Sequence, residues 1–299
     1  MTTSCRDSDH IPKVKNAGKI ITVDGNEYQI MHNGLLVEHG GYFGDWMSET
    51  ITTLKGHHEP QEEKVFYELL KLLPAKATMI ELGSYWAYYS MWFNKEIKRS
   101  TNYCCEPDPK NLALGQRNVK INKLENITFI NAAAGKEDGK IISFKPQEGD
   151  FEPVDVAIRS VDGIVAEYKI PRLDIIHMDI QGVELDTIEG AEQSIKQGKV
   201  RFLIVSTHHY LISNDVLTHE KCIEKIKELG GHIIVEHAIH ESFSGDGLVV
   251  ASFFEEDKGF HLDVSENRMQ DSLFRSYNKD MSILIAAYEE LREKANGSS

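Results

Sequence analysis

The stretch MIELGSYWAYYSMWF, Met79 to Phe93, decides how the chain folds. Met79, Ile80 and Leu82 form a short apolar run, broken by Glu81 and closed by Gly83, and an aromatic-rich segment then follows at helical density. Strand, glycine turn and helix in that order open a nucleotide-binding α/β unit. A turn that cradles phosphate repeats glycine at fixed offsets, so that backbone N–H groups can approach a pyrophosphate. Here those offsets carry Tyr85, Trp86 and Tyr88. The turn has the place of a nucleotide site without its phosphate grip.

Outward from this unit the elements alternate. TNYCCE reads as a second strand, followed by a helix with Asp108 as N-cap and Pro109 at its first position. ITFINAAAG is a third strand and turn; LDIIHMDIQG and VRFLIVSTHH are apolar strands separated by the helical VELDTIEGAEQSIKQ. KCIEKIKELGG is a helix with a glycine stop, and two β runs around SGDG make a late hairpin. Upstream, PQEEKVFYELLKLLP puts Val65, Phe66, Leu69, Leu70 and Leu73 on one helical face, and Asp24-Gly25 joins two β runs as a hairpin. EHGGYFGDWMSETI, rich in glycine and aromatics, reads as a loop, and DMSILIAAYEELREKA as a terminal helix. The pattern predicts an α/β, doubly wound, Rossmann-like fold, with helices on both faces of a mainly parallel seven-stranded sheet that ends in an antiparallel hairpin. Three regions follow: an extension over 1–60, a core over 61–255, and a C-terminal extension over 256–299.

Composition narrows the function. The 299 residues are 41% apolar and 27% charged, as in a globular protein, and no run approaches a membrane span. The polar N-terminus lacks the apolar core of a secretory signal, and the four cysteines show neither zinc-ligand spacing nor a disulfide framework. These features point to a cytoplasmic protein, away from the membrane. A net charge of −14 repels phosphate backbones and argues against nucleic acid as a partner. No metal ligand set and no oligomeric state are assigned.

In a parallel sheet of this kind, ligands sit at the carboxyl ends of the strands. The polar residues there are Glu81, Gly83 and Ser84; Glu106 and Asp108; Asn131; Asp179 and Gln181; His208 and His209. Glu106 stands where an acid accepts hydrogen bonds from both ribose hydroxyls, with a solvated strand end as the alternative. S-adenosylmethionine (SAM) answers the missing glycines: it carries adenosine, a sulfonium and an amino-acid tail, but no phosphate.

These motifs resemble those of the FkbM-type SAM-dependent methyltransferases. MIELGSYWAYYS, EPDPKNLALGQRNVKIN, FINAAAG, RSVDGI and LDIIHMDIQGVELDTIEGAEQSI follow the family's order from about Ala77 to His208. The resemblance implies a class I methyltransferase fold with SAM as cofactor. Glu81, Gly83 and Ser84 would then line its methionine end, Glu106 would hold the ribose with Asp108 nearby, and Asn131 and Ala132 would border the adenine. Asp179 would stand near the sulfonium and the incoming acceptor, and His208 would follow the fifth strand. It further implies methylation of a hydroxyl on a small-molecule acceptor, a sugar or other metabolite. Three positions depart from the family: Ala87 replaces a second glycine, Gln181 replaces the glutamate of DVEG, and Ser206-Thr207 stands where an acid is common.

Transfer to an alcohol needs a base, and Asp179 or His208 is the expected one. Asp179 has the alternative of binding cofactor or capping a helix, and His208 and His209 that of structural histidines. GHHEP, with His57, His58 and Glu59, is read as an exposed loop, with folding over the site or binding metal as the alternative. Trp86, Tyr88, Tyr89, Trp92 and Phe93 are expected in the core, with one or two facing the cofactor; Tyr42, Phe43 and Trp46 either cover the acceptor or form a satellite core. Two rival functions remain, a nicotinamide-dependent oxidoreductase and a non-catalytic SAM- or nucleoside-binding module.

Overall fold

The computed structural model describes residues 1–144, 152–267 and 283–288. The chain opens with a small antiparallel sheet of β1 (Ile20–Val23), β2 (Asn26–Ile30) and β3 (Leu36–Glu38), whose first turn is Asp24-Gly25, both at positive φ. Next come the helices α1 (Gly44–Thr53) and α2 (Pro60–Leu70). The alternating part then runs β4 (Thr78–Leu82), α3 (Tyr88–Glu96), β5 (Thr101–Cys105), α4 (Pro109–Ile121) and β6 (Ile127–Ile130). A side sheet of β7 (Ala133–Ala134), β8 (Ile141–Phe144) and β9 (Val154–Arg159) precedes α5 (Val161–Glu167), β10 (Leu173–Met178), α6 (Glu184–Glu189) and α7 (Glu192–Lys196). The chain continues through β11 (Val200–Thr207), α8 (Tyr210–Ser213), α9 (Thr218–Glu228), β12 (His232–His237) and β13 (Gly247–Ser252).

The main sheet has seven strands in the order β12-β13-β11-β10-β4-β5-β6. β11, β10, β4, β5 and β6 pair in parallel, and β13 alone runs against its neighbours. The predicted fold class is therefore present, with one refinement: the reversed strand of the hairpin sits between β11 and β12, and β12 forms the edge. β10 and β11 are buried along their whole length and β4 from its second residue, and most of their residues are apolar, because both faces are covered. On one face Met79, Ile175, Phe202 and Val250 meet Phe66 and Leu69 of α2 and Trp92 and Phe93 of α3. Met31, Leu35, Val37, Met47 and Ile51 belong to the same core, so the N-terminal sheet and α1 form an outer layer on this face. On the other face Ile80, Met178, Leu203 and Val249 pack with Ile164, Ile188, Ile195 and Ile226.

The outer layer is also tied by polar contacts. The side chains of Asn118 in α4 and Asn122 at its C-cap accept from the Glu38 and Leu36 N–H groups at 2.9 and 2.8 Å, and His32 meets the Tyr88 hydroxyl at 2.9 Å. The segment read as a loop contains α1 instead. Its glycines lie at and before the helix start, where Phe43 and Gly44 take positive φ, while Met47, Ser48, Thr50 and Ile51 make a buried helical face. All four cysteines are free and buried. Among the described residues no helix is long and apolar enough to cross a membrane. Residues 283–288 of the expected terminal helix are helical; the rest of it lies outside the described residues.

Candidate active site

Strand order reverses between β4 and β10, and a cavity of about 700 Å³ opens at the carboxyl ends of these strands and β5. Its walls come from the turn 83–86, from Glu106 to Asp108, from Ala133 to Gly135 and from Asp179 to Gln181, with Tyr42, Phe43, His58 and Glu59 from the N-terminal segment.

The turn after β4 is wound tightly, with Gly83, Tyr85 and Ala87 at φ of 73°, 42° and 61°. The role of Gly83 is close packing of two strand ends: a Cβ there would lie 1.8 Å from the Asp179 carbonyl oxygen. Alanine at position 87 holds a left-handed conformation that glycine adopts more cheaply. Glu106 braces the turn by accepting from the Tyr85 N–H at 2.8 Å and the Asp108 N–H at 2.9 Å. Burial pushes its carboxyl up to about 7 against those two hydrogen bonds, and its remaining lone pairs serve the cavity. Glu81 accepts from the Ser90 N–H at 2.9 Å, and burial raises its carboxyl too, with His177 opposing. The Ser84 hydroxyl is buried and finds no oxygen or nitrogen partner.

Of the nine residues expected at the site, Glu81, Gly83, Ser84, Glu106, Asp108 and Asp179 come together on this cavity. Asn131, Ala132 and His208 do not. Asn131 donates to the Glu106 and Pro107 carbonyls at 2.9 and 3.0 Å, and so supports the wall from behind. The Ala132 carbonyl accepts from Cys105 Sγ, while Ala133, Ala134 and Gly135 form the surface, because the chain bends into β7 after β6.

His208 lies behind Asp179, with its side chain fully buried. Its Nε2 is 3.0 Å from Asp179 Oδ1 and its Nδ1 is 2.6 Å from Glu184 Oε1. Burial opposes its charge, but Asp246, Asp179 and Glu184 together raise it well above the ordinary imidazole range. The imidazolium in turn holds Asp179 ionised against burial. Gln181 takes positive φ and sets its amide 2.9 Å from His208 Nε2 and 3.3 Å from Asp179 Oδ1. His209 caps α8 through the Leu211 N–H, a structural role.

GHHEP is not an exposed loop. His57, His58 and Glu63 are buried, and the start of α2 turns its acids inward, each toward a histidine. Glu62 meets His177 Nε2 at 2.6 Å and the Ser206 hydroxyl at 2.7 Å; Glu63 bonds His57 and lies 2.7 Å from His58 Nδ1; Glu59 lies 3.3 Å from His58 Nε2. The partners of Glu62 are more than a hundred residues away, which is why local sequence gave no sign of its burial. Tyr42 stacks flat on Trp86, with ring centroids 4.4 Å apart, and lines the cavity with Phe43, while Trp46 points to solvent. Tyr88, Trp92 and Phe93 are core, whereas Tyr85, Trp86 and Tyr89 reach the cavity. Among the described residues no three His, Cys, Asp or Glu side chains are arranged to hold a metal ion.

The chain is similar to known methyltransferases. The family model described as Methyltransferase FkbM domain matches residues 75–233, just over half of the chain. A curated relative, 2-O-methyltransferase NoeI of Sinorhizobium fredii (strain NBRC 101917 / NGR234), is 26% identical over 128 residues, covering 34% of this chain and 51% of that protein. The chain thus spans about half the length of this relative. Among solved structures, a putative rRNA-methylase from Clostridium thermocellum aligns with TM-score 0.46 and 8% identity over 64% of this chain and 94% of that one. TrmK of M. capricolum, in complex with S-adenosyl-homocysteine, aligns with TM-score 0.42 and 13% identity over 78% and 86%. At these scores the likeness adds nothing to the sheet order described above.

Proposed function

The chain belongs to the FkbM methyltransferase family, and from that premise we propose that it is a SAM-dependent methyltransferase acting on a hydroxyl of a sugar or other small metabolite. The observation that carries this reading is the cavity at the switch point, walled by acids and lacking a phosphate grip. The residues fit the cofactor. Glu106, pinned through both oxygens by backbone N–H groups, keeps lone pairs for two ribose hydroxyls. The orphaned Ser84 hydroxyl gains a partner in the amino-acid tail. Asp179, kept ionised by His208, offers fixed negative charge to a cationic ligand.

Bound SAM supplies an electrophilic methyl group on a sulfonium. The protein supplies position and environment. Holding two reactants at near-attack distance removes much of the barrier. The flat Tyr42–Trp86 shelf gives a pyranose-sized acceptor an apolar face, and neighbouring carboxylates accept from its hydroxyls. We assign the region 1–60 to acceptor cover on the same ground, since Tyr42, Phe43, His58 and Glu59 come from it. The name of the relative, a 2-O-methyltransferase, supports oxygen as the atom methylated. Net charge of −14 disfavours nucleic acid as acceptor, and four free cysteines favour the reducing cytoplasm.

Thermal unfolding with SAM, S-adenosylhomocysteine (SAH) or NADH tests the cofactor. A ligand at about 100 times its Kd adds roughly 2.7 kcal/mol to the native state. SAM and SAH should each raise the midpoint and NADH should not; stabilisation by NADH alone, or by none of them, refutes the reading. Transfer of labelled methyl across sugars, RNA and proteins tests the acceptor, with the label expected on a sugar or metabolite.

A further inference from the structure

The family match begins at residue 75, yet part of the cavity wall comes from ahead of it. Glu59 presents its carboxylate there, 15% exposed, as the residue just before α2. The Tyr89 hydroxyl donates to Glu59 Oε2 at 3.0 Å, and His58 Nε2 lies 3.3 Å from the same oxygen. His58 is itself clamped. Its backbone N–H donates to Glu63 Oε1 at 3.1 Å, its Nδ1 lies 2.7 Å from the same oxygen without hydrogen-bond alignment, and the other Glu63 oxygen bonds His57. A proton-accepting group oriented by a second group, and that by a third, is the arrangement found around activated acceptors. In the same wall, the buried His177 Nδ1 has no hydrogen-bond partner.

We propose that Glu59, oriented by Tyr89 and by the His58–Glu63 pair, is the base that takes the acceptor hydroxyl's proton in the methyl transfer proposed above, on which this inference rests. In that step the acceptor oxygen bonds to the methyl carbon as the carbon–sulfur bond breaks. The bonding pair stays on sulfur, which becomes a neutral thioether, and the hydroxyl proton ends on Glu59.

Two other acids of the cavity, Asp179 and Glu106, are committed elsewhere. Asp179 is held ionised by His208, which makes it a weak proton acceptor, and Glu106 is fixed by the Tyr85 and Asp108 N–H groups. Glu59 is faced by His58 and Glu62 from its own segment and α2, by Asp179 after β10, by Asp246 before β13, by Tyr89 of α3 and by Tyr42. Burial first, then Glu62, Asp179 and Asp246, push its carboxyl up to about 8, with His58 opposing. Positive charge entering this cavity draws the proton off, so the carboxylate is free when the methyl donor is present. General bases work best with proton affinity near the operating pH.

The test needs no acceptor. SAM and SAH differ by a methyl group and a positive charge, so the difference in protons released on binding reports a group near the sulfonium. Calorimetry at pH 7.5 in buffers of different ionisation enthalpy measures it. At that pH Asp246, at about 6, has already lost its proton, and Glu106, at about 7, meets the same adenosine in both ligands. SAM should release on the order of half a proton more than SAH. Glu59→Gln should abolish the excess and keep SAH affinity within about threefold of wild type. The inference is overturned if the variant keeps the excess, if the wild type shows none, or if the variant loses SAH binding, since a base that meets only the acceptor does not hold the thioether product. Failure of both ligands to bind the wild type would instead remove the methyltransferase reading, and this inference with it.

Discussion

Gly83→Ala is the substitution whose effect follows most directly from the geometry. Two costs apply. The position has φ of 73°, and a left-handed non-glycine residue costs roughly 1–2 kcal/mol. The new Cβ would also sit 1.8 Å from the Asp179 carbonyl oxygen, and because that contact is with backbone, no rotamer relieves it. The two strand ends must part by about 1 Å, which for a catalytic constellation corresponds to roughly a hundredfold in rate. Parting them strains the bonds from the Asp179 N–H to the Leu82 carbonyl and from the Gly83 N–H to the Cys105 carbonyl, at 3.1 and 2.9 Å. With about 1 kcal/mol for each hydrogen bond, the total is about 3–4 kcal/mol, a large share of ordinary domain stability. Gly25→Ala is the matched control, since its φ is 81° with nothing within 4 Å of the added Cβ, so only the conformational cost of roughly 1–2 kcal/mol applies. Urea unfolding of both variants, with SAH titrations, measures the difference. Equal stabilities, or wild-type SAH affinity in Gly83→Ala, would refute the argument that close approach fixes this glycine.

Other expectations concern the charged groups. Asp179→Ala should keep the fold, as judged by circular dichroism, and lose turnover, with SAM affinity falling more than SAH affinity; wild-type methylation would contradict the role proposed for it beside the donor. His208→Leu should cost about 3–5 kcal/mol by urea unfolding, because it leaves the buried Glu184 and the half-buried Asp179 uncompensated. The folded-state value of His208 is raised, so its stabilisation is full below about pH 6.5 and is lost as pH rises through the elevated value. The gap between wild type and variant should therefore narrow in strongly alkaline buffer, and a gap that widens there would reverse the sign. Glu59 is also raised, so the proton it holds favours the native state below its unfolded value near 4.3, and that help disappears as pH rises through about 8. Glu59→Gln should thus stabilise the free protein by about 1–3 kcal/mol at pH 9 and leave it unchanged near pH 4; no gain at pH 9 would show that the carboxylate is not under strain.

The alternation of apolar runs and helical periods was enough to give the sheet, because each strand's own residues record burial on both faces. The cavity between β4 and β10 was legible for a related reason: Gly83, Glu106 and Asp179 each sit at the end of such a strand. Where the reading failed, the deciding contact was distant. Glu62 finds His177 and Ser206 across the fold, and a run of histidines and glutamates before a helix resembles solvated surface until those partners are known. Helix α1 was hidden by the glycines that introduce it, and only the spacing of Met47, Thr50 and Ile51 carried its signal. His208 has the right place in sequence but the wrong depth, since a strand end indicates which residues are near a ligand and not which stands in front.

The single reversed strand, β13, bears on how the chain is made. It lies inside the sheet, between β11 and β12, so residues 247–252 must arrive before the strand edge left by β11 can be closed. During synthesis from the N-terminus, β4, β5, β6, β10 and β11 are available first, and β12 then waits unpaired for the strand that follows it. Until then the nascent sheet offers an open, apolar edge at Phe202 to Val205, the kind of surface that chaperones bind and that promotes aggregation. A ribosome-bound chain halted before residue 247 should be protease-sensitive along β11, and one extended past 252, with allowance for the exit tunnel, should be protected there.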